Sequence, residues 1–317
     1  MSEIITPESP ALSTVRVPAT SANLGSGFDT LGMAVNLFLT VEAYSFHGRN
    51  ILDFSGEGAG TVPLDSTNLI YQSLQRYAKA VGQPLPEYSL RVENPIPLSR
   101  GLGSSGAAIV AGLQIGRALF NHKLSQSEML ELAADIEGHG DNTSASLLGG
   151  CVVCCRHDDR FLVETIMPPS ILRMVAVVPE VTVSTEEARA ALPQSFEMGE
   201  VVHNLQHIAL LVHAMATGKI DNLGIGIDDR IHQPTRTRLV PGYDAVNAAG
   251  RDAGAVGVYL SGSGPTVMAF CREEAAIQAG DAMQAAFQQT GIESRCFQLQ
   301  PVVQNSASEF SEVTNGQ

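Results

Sequence analysis

The most constraining feature of this sequence is a segment of small residues, 97–108 (PLSRGLGSSGAA), that leads directly into an apolar helical pattern. Glycine and serine let the backbone curl tightly, so that several peptide N–H groups converge on one point. The positive end of the following helix adds to the same electrostatic field. The segment therefore predicts an anion-binding site, and phosphate is the expected ligand.

Two common phosphate-binding designs do not fit this segment. A Walker-type loop needs a lysine directly after its glycines, whereas the lysines of the chain are Lys79, Lys123 and Lys219. The segment also lacks the acidic residue that the dinucleotide-binding fingerprint places about 20 residues further on. Taken alone, a glycine loop before a helix most often only starts that helix, and this alternative stays open.

Charge and composition argue against several classes of function. The 317 residues include 33 acidic and 19 basic side chains, which gives a net charge of −14. Such a chain is unsuited to nucleic acid or to an anionic membrane surface. With 44% hydrophobic residues it can bury a sizeable core, and its length allows two domains. Small molecules are the expected partners.

We expect a cytoplasmic protein with reduced thiols. No apolar run approaches the roughly 18 residues of a membrane-spanning helix, and residues 1–7 lack the charged and apolar stretches of a signal peptide. The five cysteines, an odd number, do not suggest a disulfide framework. Cys151 and Cys154 form a CxxC pattern, but residues 147–155 are typical of a half-buried strand rather than of a zinc site.

The first half of the chain is strand-rich and then becomes helical. Alternating apolar residues predict strands around residues 15–19, 37–41 and 88–92. A mostly apolar stretch predicts a buried helix over residues 105–120.

A second helix has clear start and stop signals. Ser125 and Glu128 form a capping box, and Gly138 ends the pattern, which places Glu137 in the last turn. The residues expected in the loop beyond are His139, Asp141 and Asn142.

The second half alternates strands and helices. Strands are expected near residues 172–178, 256–260, 266–270 and 296. Three helices are expected: one that starts after Ser184, one over residues 201–216 and one over residues 273–289. The helix over residues 201–216 is predicted to face inward through Leu205, Ile208, Ala209 and Val212.

Three motifs together resemble the GHMP family of small-molecule kinases. The middle motif is the glycine segment itself, and the others lie at residues 17–29 (VPATSANLGSGFD) and 258–266 (VYLSGSGPT). Further stretches are similar to the branch of the family that phosphorylates homoserine: EGHGDN at 137–142, STEEAR at 184–189 and HQPTR at 232–236. Gly140 and Thr235 depart from the usual residues of that branch. We interpret them as differences in loop structure, because neither removes a functional group.

The resemblance implies an α+β fold in two domains, with ATP and substrate bound between them. Residues 1–167 would form an N-terminal GHMP kinase ATP-binding domain with a left-handed βαβ crossover, which ordinary handedness rules make rare. Residues 168–303 would form a ferredoxin-like C-terminal GHMP kinase domain. The Ser-, Asn- and Glu-rich residues 304–317 are expected to be a disordered tail.

The resemblance also implies ATP as phosphate donor, Mg²⁺ as its metal and L-homoserine as acceptor, in threonine biosynthesis. It assigns Mg²⁺ to Ser105 and Glu137, whose hydroxyl and carboxylate oxygens suit a hard cation. A helix N-cap role for Ser105 is also credible and is compatible with the metal role, and Glu131 is the alternative carboxylate. The nucleotide contacts that it implies are Asn68, Pro97, Arg100, Gly101, Leu102, Gly103, Ser104, Ser105, Gly106 and Ala107. Asn68 could equally cap the helix that follows it.

Homoserine presents an ammonium, a carboxylate and a hydroxyl group, each of which needs a partner. The substrate contacts implied by the resemblance are Asn23, Asp29, His139, Arg189, Arg236 and Gly262. Asp29 and Asn23 would meet the ammonium and hydroxyl end, whereas the two arginines would hold the carboxylate at about 1.5–3 kcal/mol per charge-assisted bond. Surface ion pairs for the arginines and a structural role for His139 are the alternatives.

The catalytic residues implied by the resemblance are Asp29, Asp141 and Asn142. Some family members use an aspartate after the glutamate-bearing helix as general base. In the branch that phosphorylates homoserine, the position equivalent to this aspartate resembles Asn142 of this chain. We therefore expect Mg²⁺-assisted direct transfer of the phosphoryl group without a dedicated general base. Two other functions compete with this hypothesis: that of another GHMP kinase, such as mevalonate kinase, and that of a catalytically inactive metabolite sensor. Homodimers are common in the family.

Overall fold

The computed structural model describes residues 11–45, 52–158 and 160–303. The tail predicted at 304–317 lies outside these residues. In the part described, no helix is both long enough and apolar enough to cross a membrane.

The first sheet is built from the first half of the chain. It has six strands in the order β3-β4-β2-β5-β6, with β1 paired to β2. The strands are β1 (Ser13–Ala22), β2 (Leu31–Ser45), β3 (Leu52–Gly56), β4 (Tyr88–Asn94), β5 (Cys151–His157) and β6 (Arg160–Ile166). β3 and β4 are parallel and are joined through helix α1 (Leu69–Ala80), so this half contains the expected βαβ unit. Its handedness stays a prediction.

Three further helices follow β4. They are α2 (Ser104–Leu119), α3 (Gln126–Glu137) and α4 (Asp141–Leu148). The capping box of Ser125 and Glu128 begins α3, and Gly138 ends it in the left-handed conformation, as predicted. Helix α2 is buried along most of its length, which agrees with its uniformly apolar sequence.

The second sheet has the antiparallel order β10-β7-β9-β8. Its strands are β7 (Leu172–Pro179), β8 (Gly257–Leu260), β9 (Val267–Arg272) and β10 (Ser294–Leu299). Between β7 and β8 lie α5 (Thr185–Ala190), α6 (Met198–Thr217), α7 (Leu223–Gly226), α8 (Gln233–Arg236) and α9 (Tyr243–Asp252), and α10 (Glu273–Gln289) joins β9 to β10. This is the ferredoxin-like strand order, so the predicted α+β class with a ferredoxin-like second half is confirmed.

Strand β9 shows that the second sheet packs on both of its faces. Val267, Ala269 and Cys271 pack with helices α9 and α10, whereas Met268 and Phe270 belong to the core of the first half. Alternate residues of a strand point to opposite faces of the sheet. One hydrophobic core therefore joins the two halves of the chain, although the sheets are separate.

Two predictions about the chain around α4 are wrong. Asp141 and Asn142 lie in the first turn of α4 rather than in a loop, because Gly138 ends α3 and Gly140 serves as the N-cap of α4 only two residues later. Leu147 and Leu148, placed in a strand, are the last residues of the same helix, and the strand begins only at Cys151.

The prediction for α6 is also partly wrong. A capping box of Glu197 and Glu200 begins the helix at Met198. Leu205 and Ala209 are exposed, and the buried positions are Asn204, Leu211, Ala214 and Met215. The side chain of Asn204 is hydrogen-bonded to the buried carboxylate of Asp229, which the apolar pattern did not reveal.

The shared core predicts cooperative unfolding. We expect Met268→Ala, which leaves a cavity between the two sheets, to lower the free energy of unfolding by about 2–5 kcal/mol in one transition. Urea unfolding followed by circular dichroism measures this. The control is Ile277→Ala on α10, whose side chain is 68% exposed, for which we expect a change within about 0.5 kcal/mol. Two separate transitions, with only one displaced, would contradict the shared core.

Candidate active site

Residues from both halves of the chain line a cleft of 410 Å³. One part of its lining is apolar and comprises Phe54, Val62, Pro63, Leu69 and Leu98. The other part is polar and includes the glycine segment together with charged side chains from α3, α4, α5 and α8.

The peptide groups of the glycine segment are held in place by hydrogen bonds that their carbonyl oxygens accept from other parts of the chain. The carbonyl of Gly101 accepts the Ser261 hydroxyl at 2.6 Å, and that of Leu102 accepts the N–H of Thr20 at 3.1 Å. The carbonyl of Arg100 accepts both the N–H and the hydroxyl of Thr266. The N–H groups of residues 101–106 have no acceptor among the described residues. These free donors fit the predicted anion site.

Two glycines are required for this arrangement. Gly101 has φ +79° and Gly103 has φ +65°, a region that side-chain-bearing residues rarely adopt. A Cβ would also collide with the Ser261 carbonyl at the first position and with the Thr20 hydroxyl at the second. The loop can therefore lie directly against β1 and the motif after β8.

The two residues implied to hold the metal meet in the structure. The Ser105 hydroxyl donates to Oε1 of Glu137 at 2.5 Å, and Oε2 is buried without a hydrogen-bond partner among the described residues. Burial raises the pKa of the Glu137 carboxyl to about 6, against smaller opposing effects of Ser105 and His139. A buried, unpartnered carboxylate oxygen is costly, and a hard cation would satisfy it, so this pair fits Mg²⁺.

The alternative assignments for this pair fare less well. Gly103, not Ser105, is the N-cap of α2. Glu131 is not among the residues that line the cleft, whereas Glu137 is. Gly106 allows α2 to approach, because a Cβ there would lie 3.1 Å from Oε2 of Glu137.

A hydrogen-bonded chain crosses the start of α4. His139 Nδ1 lies 2.9 Å from Oδ1 of the buried Asp141, and this bond raises the pKa of His139. The same carboxylate oxygen accepts the N–H of Asn142 at 2.8 Å. The carboxamide oxygen of Asn142 accepts the hydroxyl of Thr20 at 2.7 Å. Sequence reasoning missed Thr20, although it lies within the first motif.

Asp29 and Arg189 are paired with each other in the cleft. Both guanidinium NH₂ groups of Arg189 donate to the carboxylate of Asp29, each at 2.9 Å, and the pairing raises the pKa of Arg189. Asn23 positions Asp29 by accepting its N–H at 3.0 Å, and also donates to the carbonyl of Gly262 at 2.9 Å.

Arg236 is the unusual cation of the cleft, because its side chain is buried and contacts no described carboxylate within ion-pair distance. Its guanidinium donates to the carbonyls of Ala188 and Gly262, at 3.3 and 3.2 Å. Burial lowers its pKa. Neither arginine pairs with Glu186, Glu187 or Asp229 among the described residues, although Arg189 forms a half-exposed ion pair with Asp29.

Phe28 and His232 support Arg236, and sequence reasoning missed both. The guanidinium of Arg236 lies 4.9 Å from the centroid of the Phe28 ring, and His232 stacks on that ring at 5.1 Å. His232 Nε2 is 2.8 Å from the carbonyl of Gly25. The signal was an aromatic residue directly before Asp29 in the first motif.

The remaining implied nucleotide residues divide into two groups. Asn68 caps α1 by accepting the N–H of Ile70 at 3.0 Å, and it also lines the cleft, as do Arg100, Gly101, Gly103, Ser104 and Ser105. Pro97, Leu102, Gly106 and Ala107 are buried outside the lining, and the side chains of Leu102 and Ala107 belong to the core. The departure at Gly140 has a structural reason, because a Cβ there would collide with the Phe161 ring.

Comparison with known proteins identifies relatives over most of the chain. Residues 68–150 match the family model described as GHMP kinases N terminal domain, and residues 211–289 match GHMP kinases C terminal. The homoserine kinase of Moorella thermoacetica is 41% identical over 288 residues, which is 90% of this chain and 96% of that protein. A homoserine kinase of Picosynechococcus is 38% identical and covers 88% of this chain and 93% of its own.

Solved structures agree with these relatives. The crystal structure of homoserine kinase from Cytophaga hutchinsonii has a TM-score of 0.84 and 31% identity, covering 96% of this chain and 98% of that one. A mevalonate kinase structure, at 15% identity and a TM-score of 0.69, shares the fold.

The buried carboxyl of Glu137 predicts a dependence of stability on pH. Because its pKa is raised from 4.5 to about 6 in the folded protein, its contribution to stability is complete below pH 4.5 and is lost as pH rises through 6. In EDTA near pH 8, we therefore expect Glu137→Gln to be more stable than the parent by up to about 2 kcal/mol. The difference should vanish at low pH.

Urea unfolding across the pH range measures this difference. Glu131→Gln, on the same helix, controls for the loss of one negative charge. A metal-free parent that is at least as stable as Glu137→Gln at high pH would contradict the burial of this carboxylate.

Proposed function

Because the chain belongs to the homoserine kinases of the GHMP kinase family, we propose that its cleft transfers the γ-phosphate of ATP to the side-chain hydroxyl of L-homoserine. The products are ADP and O-phospho-L-homoserine, an intermediate of threonine biosynthesis. The observation that carries the proposal is that one cleft contains two groups of donors suited to anions: the free N–H groups of the glycine segment, which lines the cleft at residues 101 and 103–105, and the buried guanidinium of Arg236. The first suits a triphosphate, and the second suits an amino-acid carboxylate.

The nucleotide is held by backbone groups. The free N–H groups at the start of α2 bind the phosphates, and the helix dipole favours their negative charge. The apolar lining formed by Phe54, Val62 and Leu98, with Asn68 beside it, receives the base. Ser105 and Glu137 would hold Mg²⁺, which when bound neutralises charge on the phosphate oxygens. The unpartnered Oε2 of Glu137 supports this assignment.

The acceptor is held by its carboxylate and its ammonium. Arg236 donates to the carboxylate, because a buried guanidinium with only two carbonyl partners retains free donors. Asp29 accepts hydrogen bonds from the ammonium group, because its carboxylate retains unused lone pairs after it has accepted two hydrogen bonds from Arg189. Asn23 and Gly262 fix the position of Asp29 and Arg236, so the acceptor is oriented by a rigid frame.

We infer that no side chain near α4, within the part of the chain that the structure describes, acts as a dedicated base. Asp141 is buried and its Oδ1 is occupied by His139 and by the N–H of Asn142, so it positions these two residues. Asn142 is in turn held by Thr20. We infer direct in-line transfer, in which the hydroxyl proton leaves late to an oxygen of the transferring phosphate, as a loose transition state allows. His139 orients the acceptor hydroxyl.

The domain boundary, the cellular location and the assembly of the protein belong to the same proposal. We place the domain boundary between residues 167 and 168, which lies between the two family matches. A cytoplasmic location, a homodimer and the absence of nucleic-acid or membrane partners are further parts of the proposal, the last supported by the net charge of −14.

The acceptor specificity can be tested directly. We expect ADP release, followed by a coupled assay, to be rapid with L-homoserine and negligible with mevalonate or galactose, because only homoserine carries both a carboxylate and an ammonium. Rapid turnover of mevalonate with inert homoserine would contradict the proposed acceptor.

The role of Arg236 predicts a selective defect. We expect Arg236→Lys to raise KM for homoserine about 10- to 100-fold, the loss of one or two charge-assisted contacts, and to leave KM for ATP nearly unchanged. Steady-state kinetics measure both constants. Arg238→Lys, at an exposed position two residues away, is the matched control and should behave as the parent. An unchanged KM for homoserine in Arg236→Lys would contradict the assignment.

A further inference from the structure

A second group of polar side chains lies outside the cleft. His203 and His207 are one turn apart on α6, and Asp228 follows α7. Their ligand atoms all lie within 4.8 Å of one another, the one such group of His, Cys and carboxylate side chains across residues 11–45, 52–158 and 160–303. Two histidines at i and i+4 on one helix face are a recurrent zinc-binding arrangement.

The distances are close to those of a metal site. Nε2 of His203 lies 3.2 Å from Oδ2 of Asp228, and Nε2 of His207 lies 4.0 Å from the same oxygen. The two imidazole rings are stacked with centroids 3.7 Å apart. Tetrahedral zinc has bonds of about 2.0–2.2 Å, so its ligand atoms lie about 3.3–3.6 Å apart. Small side-chain rotations would reach that geometry.

The protonation of His207 directs a lone pair into this group. Its Nδ1 lies 2.7 Å from the carbonyl oxygen of His203. Because a carbonyl only accepts, Nδ1 carries the proton, and Nε2 of the neutral ring is left with a lone pair. Metal-bound histidines are commonly oriented in this way, by a hydrogen bond from the other ring nitrogen.

His203 contributes a nitrogen that the fold leaves unused. Its Nε2 is buried and makes no hydrogen bond with any described residue, because its approach to Asp228 lies outside hydrogen-bond geometry. A buried polar atom without a partner costs free energy. A metal ion would satisfy this nitrogen and the carboxylate together.

The two elements that carry the ligands are held together by neighbouring residues. Asn204 donates to the buried Asp229 at 2.7 Å and accepts the N–H of Arg230 at 2.8 Å. Positions 203 and 228 are each adjacent to one of these residues. Ligands on elements fixed in this way need little reorganisation to bind a metal.

We propose that His203, His207 and Asp228 form a site for a divalent transition-metal ion of the Zn²⁺ class, with one coordination position open to solvent. Two imidazoles and one carboxylate suit Zn²⁺ or Co²⁺ rather than Mg²⁺ or Ca²⁺. The Asp228 side chain is 60% exposed, which gives an ion access. Occupancy would tie α6 to the segment that leads to His232 and Arg236.

Binding of Co²⁺ to the full-length protein tests the proposal. After EDTA treatment, and in excess Mg²⁺, we expect one equivalent of Co²⁺ to bind with the visible absorption of a four- or five-coordinate nitrogen and oxygen site. His207→Gln and Asp228→Asn should each weaken this binding at least about 10-fold. His213→Gln, on the same helix at an exposed position, is the control and should retain the full equivalent.

Thermal unfolding provides a second readout that does not depend on the spectrum. Zn²⁺ should raise the unfolding temperature of the parent and of His213→Gln, but not that of His207→Gln or Asp228→Asn. Metal-free unfolding temperatures of all four proteins establish that the variants fold. Failure of the parent to bind Co²⁺, or equal binding by the parent and both ligand variants, would overturn the proposal and reduce the group to an ordinary histidine–aspartate contact.

Discussion

The orientation of the peptide groups in residues 100–106 is the constraint on which the rest of the structure depends. Their carbonyls are bonded to Thr20 on β1 and to Ser261 and Thr266 around the turn between β8 and β9. Their N–H groups have no acceptor in the described part of the chain, which leaves them free for the phosphate ligand that we propose. Segments more than 150 residues apart in sequence must meet for this to happen, which explains why the two sheets share one core. The anion site is thus a product of the whole fold rather than of a local loop.

Local charge, not net charge, determines what the cleft binds. The chain carries a net charge of −14, yet free peptide donors and the buried Arg236 form the anion sites that we propose within the cleft. Glu137 is the counterpart, because burial disfavours the charged form of its carboxyl group, and its Oε2 has no hydrogen-bond partner among the described residues. The paired Asp29 and Arg189 illustrate a third arrangement, in which two opposite charges hold each other in place while remaining half-exposed to a ligand.

Local signals predicted the elements around the site well. The capping box at Ser125 and the terminating Gly138 set the bounds of α3, and therefore the position of Glu137. The resemblance then indicated which residues belong to one site. What local signals could not reveal were features that depend on distant partners. The rotation of α6 is set by the contact between Asn204 and Asp229, and the packing of Phe28 beneath Arg236 requires α8 to reach the first motif. Asp141 was misplaced because two nearby glycines, at 138 and 140, end one helix and begin the next.

The most direct test of this account is a crystal structure of the protein with Mg²⁺, a non-hydrolysable ATP analogue and L-homoserine. The account predicts phosphate oxygens on the N–H groups of residues 101–106, Mg²⁺ held by Ser105 and Glu137, and the homoserine carboxylate on Arg236. A nucleotide bound elsewhere, with these N–H groups still free, would contradict it.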